Sequence, residues 1–348
     1  MTRANRICAL ILVLGSLAAS NAFASRARQL VMGSADPLGV LTGTAGTGHG
    51  SFFYDDNYNI FYNPSYVNDF KNWASVEKSN GAGEAEGGFV ASITSFNFGF
   101  YMNRADAVQA PVGGFAAGNK PLRPFDLFLG ADMGVKWGVG FSYGNHSGPD
   151  PLSASNATIH LGAQIADLEP FGTVIVKGSN KTAGGEDKFS GFNLGTRYKW
   201  GEWVPFAAVA QFSNTSAAGA DTKSTSYGLG VGRNAKIAEG THLNYSLAFW
   251  RNTQAKRSVL PLDMSLEGDI ATWLTARAGF SHRLMDRADG VTTTAGAATT
   301  GRLGATIHMG KVNFDWAAGS TAGAEALDGA TIDLANGFFT AANLTYRW

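Results

Sequence analysis

The sequence predicts an all-β protein: a transmembrane antiparallel β-barrel of sixteen strands over residues 70–348, preceded by a leader and a non-barrel segment. Three observations lead there. From about residue 70, apolar and polar side chains alternate in successive segments, and the connections between segments alternate short and long. Beyond residue 24 no apolar run approaches the roughly 18 residues expected of a helical span. Charged residues make up only 16% of the chain while aromatics reach 12%, with 45 glycines, a balance that suits a lipid-facing skin better than a soluble sandwich.

The N-terminal 24 residues read as a secretory signal peptide. Arg3 and Arg6 form a positive start, Ile7 to Ala19 is an apolar run, and Ala22-Phe23-Ala24 is an A-x-A cleavage site. The run is too short for a membrane anchor, and Cys8 precedes the cleavage region, so it is not a lipid-attachment cysteine. Cleavage at Ala24 leaves no cysteine, which closes disulfide and cysteine-metal readings. Of 27 basic and 27 acidic residues, two basic ones fall in the leader, so the mature chain carries a net charge of −2. No basic patch points to nucleic acid.

The strands carry a period of two. Val135, Trp137, Val139, Phe141 and Tyr143 alternate with Lys136, Gly138, Gly140 and Ser142; Leu243, Tyr245, Leu247 and Phe249 alternate with His242, Asn244 and Ser246. Leu260 to Leu266 and Leu303 to Met309 repeat the pattern. One face is apolar and the other holds Gly, Ser, Thr and charges, as strands with lipid outside and water inside require. Short connections are expected near 94–95, 132–133, 167–170, 199–202, 234–240, 268–270 and 310–311. Longer ones are expected near 80–85, 104–123, 145–153, 178–186, 213–223, 252–257, 284–297 and 320–334. Eight outer loops and seven inner turns require sixteen strands. Reading Phe89 to Met102 as one strand gives fourteen instead. Pro261 needs a bulge or a rim position, since it removes a ladder hydrogen bond.

The chain ends on an alternating strand: Leu344, Tyr346 and Trp348 on one face, Asn343, Thr345 and Arg347 on the other. This ending resembles the C-terminal signature of bacterial outer-membrane β-barrels, which the barrel-assembly machinery reads. The resemblance implies an outer-membrane location, with contacts to outer-membrane lipid and a lipopolysaccharide-type surface.

Residues 25–69 lack the strand pattern. Gly43 to Ser51 is glycine-rich, but His49 stands where a phosphate loop needs Lys, and no strand precedes it. Asp56-Asn57-Tyr58-Asn59-Ile60-Phe61-Tyr62-Asn63-Pro64-Ser65-Tyr66 resembles the segment just before the barrel in the long-chain fatty-acid transporter family. Ser65-Tyr66 departs from that family's usual small pair. The resemblance implies a hatch folded inside the barrel, with Asn63 and Pro64 as its motif. The run Asn59 to Val67, with Ala85-Glu86-Gly87-Gly88-Phe89, also resembles the major porin-like outer-membrane proteins of predatory delta-class bacteria. A plug in the lumen or its periplasmic mouth is the expectation for 25–69, against a disordered tether.

Channel-lining candidates are Lys136, Arg197, Lys199, Arg277, Arg302 and Arg347 against Asp126, Asp132, Asp263, Glu267 and Asp315. The near balance of sign predicts weak ion selectivity; the same charges can also brace the wall by pairing across it. His160 and His308 sit in similar hexamers, Ala157-Thr158-Ile159-His160-Leu161-Gly162 and Ala305-Thr306-Ile307-His308-Met309-Gly310, with no carboxylate pattern for a metal. The best acid–base pair, His146 with Asp150, reads as solvated loop. No catalytic residue, cofactor or metal is expected. The expected function is a porin-like passive channel for small polar solutes, with 104–123 as a constriction loop or subunit latch and a homotrimer as the assembly. The alternatives are a hatch-bearing transporter of hydrophobic compounds and a non-conducting structural barrel.

Overall fold

Residues 25–36, 50–79, 85–104, 121–149, 151–289, 299–320 and 338–348 are described here, from a computed structural model. The predicted leader, the run 43–49, most of loop 104–123 and Asp150 lie outside them. Sixteen antiparallel strands close into a barrel in sequence order. They are β1 (Trp73–Ser79), β2 (Glu86–Ile93), β3 (Phe96–Met102), β4 (Leu122–Asp132), β5 (Lys136–Ser147) and β6 (Ser153–Gln164). Then come β7 (Leu168–Thr182), β8 (Gly185–Tyr198), β9 (Trp203–Thr215), β10 (Asp221–Ala238) and β11 (Thr241–Asn252). The last are β12 (Arg257–Ala271), β13 (Leu274–Ala288), β14 (Thr299–Met309), β15 (Val312–Ser320) and β16 (Phe338–Arg347).

The break at Thr94-Ser95 decides the count. Thr94 adopts a positive φ of 57° in a two-residue turn, and β2 and β3 pair as a hairpin, Ile93 opposite Phe96. The fourteen-strand alternative is thereby excluded. Closure comes from β1 against β16, Trp73 opposite Arg347 and Ser79 opposite Ala341. Asn72, at φ 62°, turns the chain into the wall, and its carbonyl accepts from the Trp348 amide. The first and last residues of the barrel therefore meet at the end carrying the short turns, the periplasmic end in such barrels.

Strands run further than the alternation alone suggested. β10 extends to Ala238, and β12 to Ala271, so the turn expected at 268–270 falls at 272–273. β7 reaches Thr182 and β8 starts at Gly185, reducing the loop expected at 178–186 to two residues. Backbone pairing continues past the point where the side-chain pattern fades, because the ladder needs no particular side chain. Pro261 sits at a register shift between Leu260 and Pro261, the bulge its missing N–H requires.

Alternation sorts the two faces. Leu229, Leu194, Leu303 and Leu161 point outward and are exposed, while Asn193, Asn244 and Ser246 point inward and are buried. Trp200, Trp273, Trp203, Tyr346 and Trp348 are exposed near the short-turn end, the position of an aromatic belt.

Ahead of the barrel lie α1 (Arg26–Met32) and two short 3-10 turns, Asn57–Phe61 and Pro64–Asn68. Local chemistry makes each. Ser25 caps α1 by accepting from the Arg28 amide, and Gly33, at φ 85°, ends it. Asp56 caps the first turn through the Tyr58 amide. Asn63 caps the second through the Ser65 amide, with Pro64 in the first turn where its lack of N–H costs nothing. The Asn63-Pro64 motif is thus a cap-and-start signal.

Candidate functional site

The described N-terminal residues occupy the lumen. Phe52, Phe53, Tyr54, Tyr58, Ile60, Phe61, Tyr62, Tyr66 and Val67 are at most 2% exposed, although a lone chain segment could not bury them by itself. Phe52 stacks on Phe206 at 4.8 Å and lies 5.6 Å from Trp250, both inward residues of the wall. Tyr62 meets Phe171 edge-on at 4.8 Å. A second cluster joins Tyr58, Phe61 and Val67 to Tyr101 and Phe128 of β3 and β4. Each such side chain contributes about 1.5–3 kcal/mol on burial. The seat is shaped for the segment: a Cβ at Gly138 would strike the Pro64 carbonyl, and one at Gly232 would strike the Phe53 side chain. Where these residues sit, the lumen is filled by protein rather than left as an aqueous bore.

Charge fixes the segment in place. Arg197, 1% exposed, donates to Glu169 at 2.9 Å, to the Ser51 and Tyr54 carbonyls at 2.7 and 3.1 Å, to Asp55 at 2.6 Å and to the Tyr66 hydroxyl at 2.8 Å. Tyr66 in turn donates to Glu169. Burial alone would raise the Asp55 carboxyl, but Arg197 and Lys199 overcome it and hold the group well below the usual carboxylate range. A second network centres on Arg28 of α1, which grips Glu267 of β12 in a bidentate pair at 2.8 and 2.9 Å and reaches Asp56 at 3.0 Å. Arg277 shares Glu267 and lies 3.4 Å from Asp315. Burial pushes the Asp56 carboxyl up to about 7, against the pull of Arg28. At the start of α1, Arg26 pairs with Glu86 of β2, and its amide donates to Glu77 of β1 at 2.9 Å.

The charged residues singled out from the sequence take different places. Arg197, Glu267, Arg277 and Asp315 belong to these networks. Lys136 pairs with Asp69 and Lys199 with Asp55 and Glu169 at the mouth on the short-turn end. Asp126, fully buried, is paired with Arg104 at 3.0 Å. Asp263 accepts from Ser281 at 2.5 Å and lies in the field of Arg302, as Asp315 lies in that of Arg347. Asp132, the last residue of β4, is exposed in the β4–β5 turn, where its carboxylate accepts from the Gly134 amide at 3.2 Å.

Sequence reasoning missed Arg28, Asp55, Asp56, Tyr66, Glu169 and Arg104. A signal existed for the first four. Residues 52–70 hold more aromatics than a disordered tether carries, and charges scattered in such a stretch need partners. Glu169 was hidden because the turn was expected to extend to Pro170, and Arg104 because it was assigned to a loop.

His160 lies between Ser142, with Nε2 2.8 Å from Oγ, and Thr173, with Nδ1 3.0 Å from Oγ1. A Ser–His contact of this kind is a nucleophile geometry, but Ser142 and His160 are buried and the Ser142 hydroxyl is also donated to Asp126. His308 meets Thr275 and Asn313. Among the described residues no three metal-ligating side chains converge.

Beyond the buried N-terminal residues a polar vestibule of about 640 Å³ opens at the short-turn end of the barrel. Lys236, His242, Asp269, His308 and Arg347 line one flank, from β10 to β16, and Lys136 and Lys199 the other. Arg28 and Glu267 stand at its inner limit.

This fold is shared with solved outer-membrane-type barrels. CdiB from Acinetobacter baumannii superposes with a TM-score of 0.50 at 10% identity, over 80% of this chain and 60% of that one. CdiB from Escherichia coli gives 0.52 at 11%, over 80% and 63%. Outer-membrane expressed OmpT of Vibrio cholerae gives 0.41 at 12%, over 80% and 95%. The chain spans about three fifths of the CdiB structures, and at these identities the likeness is one of fold. No protein-family model and no curated protein sequence matches the chain.

Proposed function

We propose that this protein is an outer-membrane transport barrel, porin-like in passing small polar solutes, whose lumen is closed at rest by its own N-terminal segment. Solute passes when that segment yields, not by free diffusion through a standing pore. The observation that carries this reading is the filled lumen: nine large side chains of residues 52–67 buried within the barrel and locked by Arg197 and Arg28. The outward apolar face, the aromatic belt and the closed sheet support placement in an outer membrane. The charged vestibule, with both signs represented, supports polar cargo and weak ion preference.

Transport of hydrophobic compounds is a second reading, favoured by the inward aromatic strip Phe171, Phe206 and Trp250. Assembly through the C-terminal residues Leu344, Tyr346 and Trp348, and association as a trimer, complete the proposal.

Planar-bilayer conductance of refolded protein tests it. The full chain should show rare openings, and a chain lacking 25–69 should show steady ones. Steady openings in the full chain would restore the free-diffusion porin. Silence in both would leave a structural barrel.

A further inference from the structure

The two parts of the plug are not held alike. Residues 50–70 are joined covalently to β1, and their second 3-10 turn packs on β3, β4, β5 and β6. They contribute to two aromatic clusters and supply four of the five acceptor groups of Arg197. α1 packs instead on β12 to β16. Its apolar seat is made of small residues, Ala27 and Val31 against Ala317 and Ala341, with Leu30 beside them. Only Met32 and Ala35 reach an aromatic cluster. The apolar seat of α1 is therefore made of small side chains, and charge supplements it: Arg28 to Glu267 and Asp56, Arg26 to Glu86, with neutral hydrogen bonds from Gln29 to the Gly50 carbonyl and, past the helix, from Phe52 to Ser34 and Trp250 to Ala35.

The vestibule lies on the same side. Most of its lining comes from β10 to β16, and its inner limit is the Arg28–Glu267 pair itself. If α1 left its seat, the space it vacates along β12 to β16 would continue the vestibule inward, while residues 50–70 stayed in place.

We propose that α1 is the moving gate of this barrel, that residues 50–70 are a fixed half-plug, and that polar solutes pass along the inner faces of β12 to β16. This rests on the reading of the protein as a plugged transport barrel. Arg28 is the latch. Its guanidinium joins α1 both to the wall at Glu267 and to the fixed half at Asp56, beside the Gln29 amide that donates to the Gly50 carbonyl. Arg277 remains to neutralise Glu267 when Arg28 withdraws.

Two glycine seats supply matched locks. A Cβ at Gly304 would lie 2.8 Å from Val31 Cγ2, and one at Gly130 would lie 2.6 Å from Val67 Cγ2; each also lies 2.7 Å from a wall carbonyl, Trp316 and Trp137, so both cysteines require the same small shift of the wall. Val31→Cys with Gly304→Cys therefore ties α1 to β14, and Val67→Cys with Gly130→Cys ties the fixed half to β4, each at a separation a disulfide can bridge. Both pairs are placed in an Arg28→Ala full-length chain. Potassium chloride conductance in planar bilayers is recorded before and after reduction with dithiothreitol.

Arg28→Ala alone should raise the open fraction at least tenfold over the unsubstituted chain. The oxidised α1 lock should abolish those openings and reduction restore them, while the oxidised Val67–Gly130 lock leaves them. Gly279→Leu, whose side chain would collide with the Val31 carbonyl, should open the barrel in the same way without touching Arg28. It serves where Arg28→Ala fails to fold. Silence under the Val67–Gly130 lock on its own, whether or not the α1 lock on its own also silences the chain, would overturn the proposal, since the other half or the whole plug would then move. Openings in the chain lacking 25–69, with none in either Arg28→Ala or Gly279→Leu, would overturn it while leaving the plugged-barrel reading intact. Silence even without 25–69 would overturn that reading as well.

Discussion

Replacing Arg197 by Met should release residues 50–70 from the wall without dissolving the barrel. The guanidinium is buried and serves two carboxylates, two backbone carbonyls and the Tyr66 hydroxyl. Met keeps much of the volume but supplies no donor, so Glu169, at 1% exposure, loses one of its two cations. Breaking a buried pair in this way costs about 3–5 kcal/mol. Two features reduce that figure. Lys199 remains 2.8 Å from Glu169, and Asp55 is 44% exposed to the vestibule, where water takes over. A net loss of about 2–3 kcal/mol is expected, which makes the undocked state roughly thirty to a hundred and fifty times more populated. The aromatic clusters remain, so docking is weakened rather than abolished. Limited proteolysis of refolded protein reads the change: fragments cut within 50–70 should appear tens of times faster than from the unsubstituted chain, with the barrel still folded on unheated gels. Unchanged cleavage rates, with folding intact, would refute the claim that Arg197 holds the plug.

Four further outcomes follow from the same geometry. Gly232→Val should expose residues 50–70 to protease as Arg197→Met does, because its side chain claims the space of Phe53. Leu229→Arg, on the lipid face at 65% exposure, should cost about 2–4 kcal/mol in a bilayer-unfolding titration if the site lies near the membrane midplane. Trp348→Ala should reduce the yield of folded barrel in cell outer membranes while leaving in vitro refolding into detergent nearly unchanged, and equal loss in both would argue against an assembly signal. The last concerns pH. Asp56, held against Arg28, Tyr54, Glu267 and Arg277, has its carboxyl at about 7 when docked and near 3.9 when free. The docked state then binds the extra proton between those values, so docking strengthens as pH falls from about 7 towards 4. Asp55, shifted the other way, contributes above about 4 and loses that contribution below it. Cleavage within 50–70 should therefore be slower at pH 5.5 than at pH 8, and faster cleavage at pH 5.5 would reverse the assignment.

The fold was legible because a barrel wall writes its period into every strand. Leu243 to Phe249 or Leu303 to Met309 could hardly alternate so regularly for another reason, and turn parity supplied the count. The lumen was harder to read. The inward positions Ala248 and Trp250 follow His242, Asn244 and Ser246 on one strand, and an aromatic facing inward carries no mark of which segment will cover it. Pairing of Arg197 with Asp55, or Arg28 with Glu267, joins residues 142 and 239 positions apart, a separation that no local pattern records. What the sequence does show is composition: aromatics and capping residues packed into 52–70, which need a core from elsewhere.

The central claim is that this barrel is a transport path closed by its own N-terminal segment. Solute flux into proteoliposomes tests it most directly, using arabinose, with equal amounts of folded protein in each preparation. The account predicts slow entry through the full chain and entry at least tenfold faster through the chain lacking 25–69. Equal flux through both would contradict it.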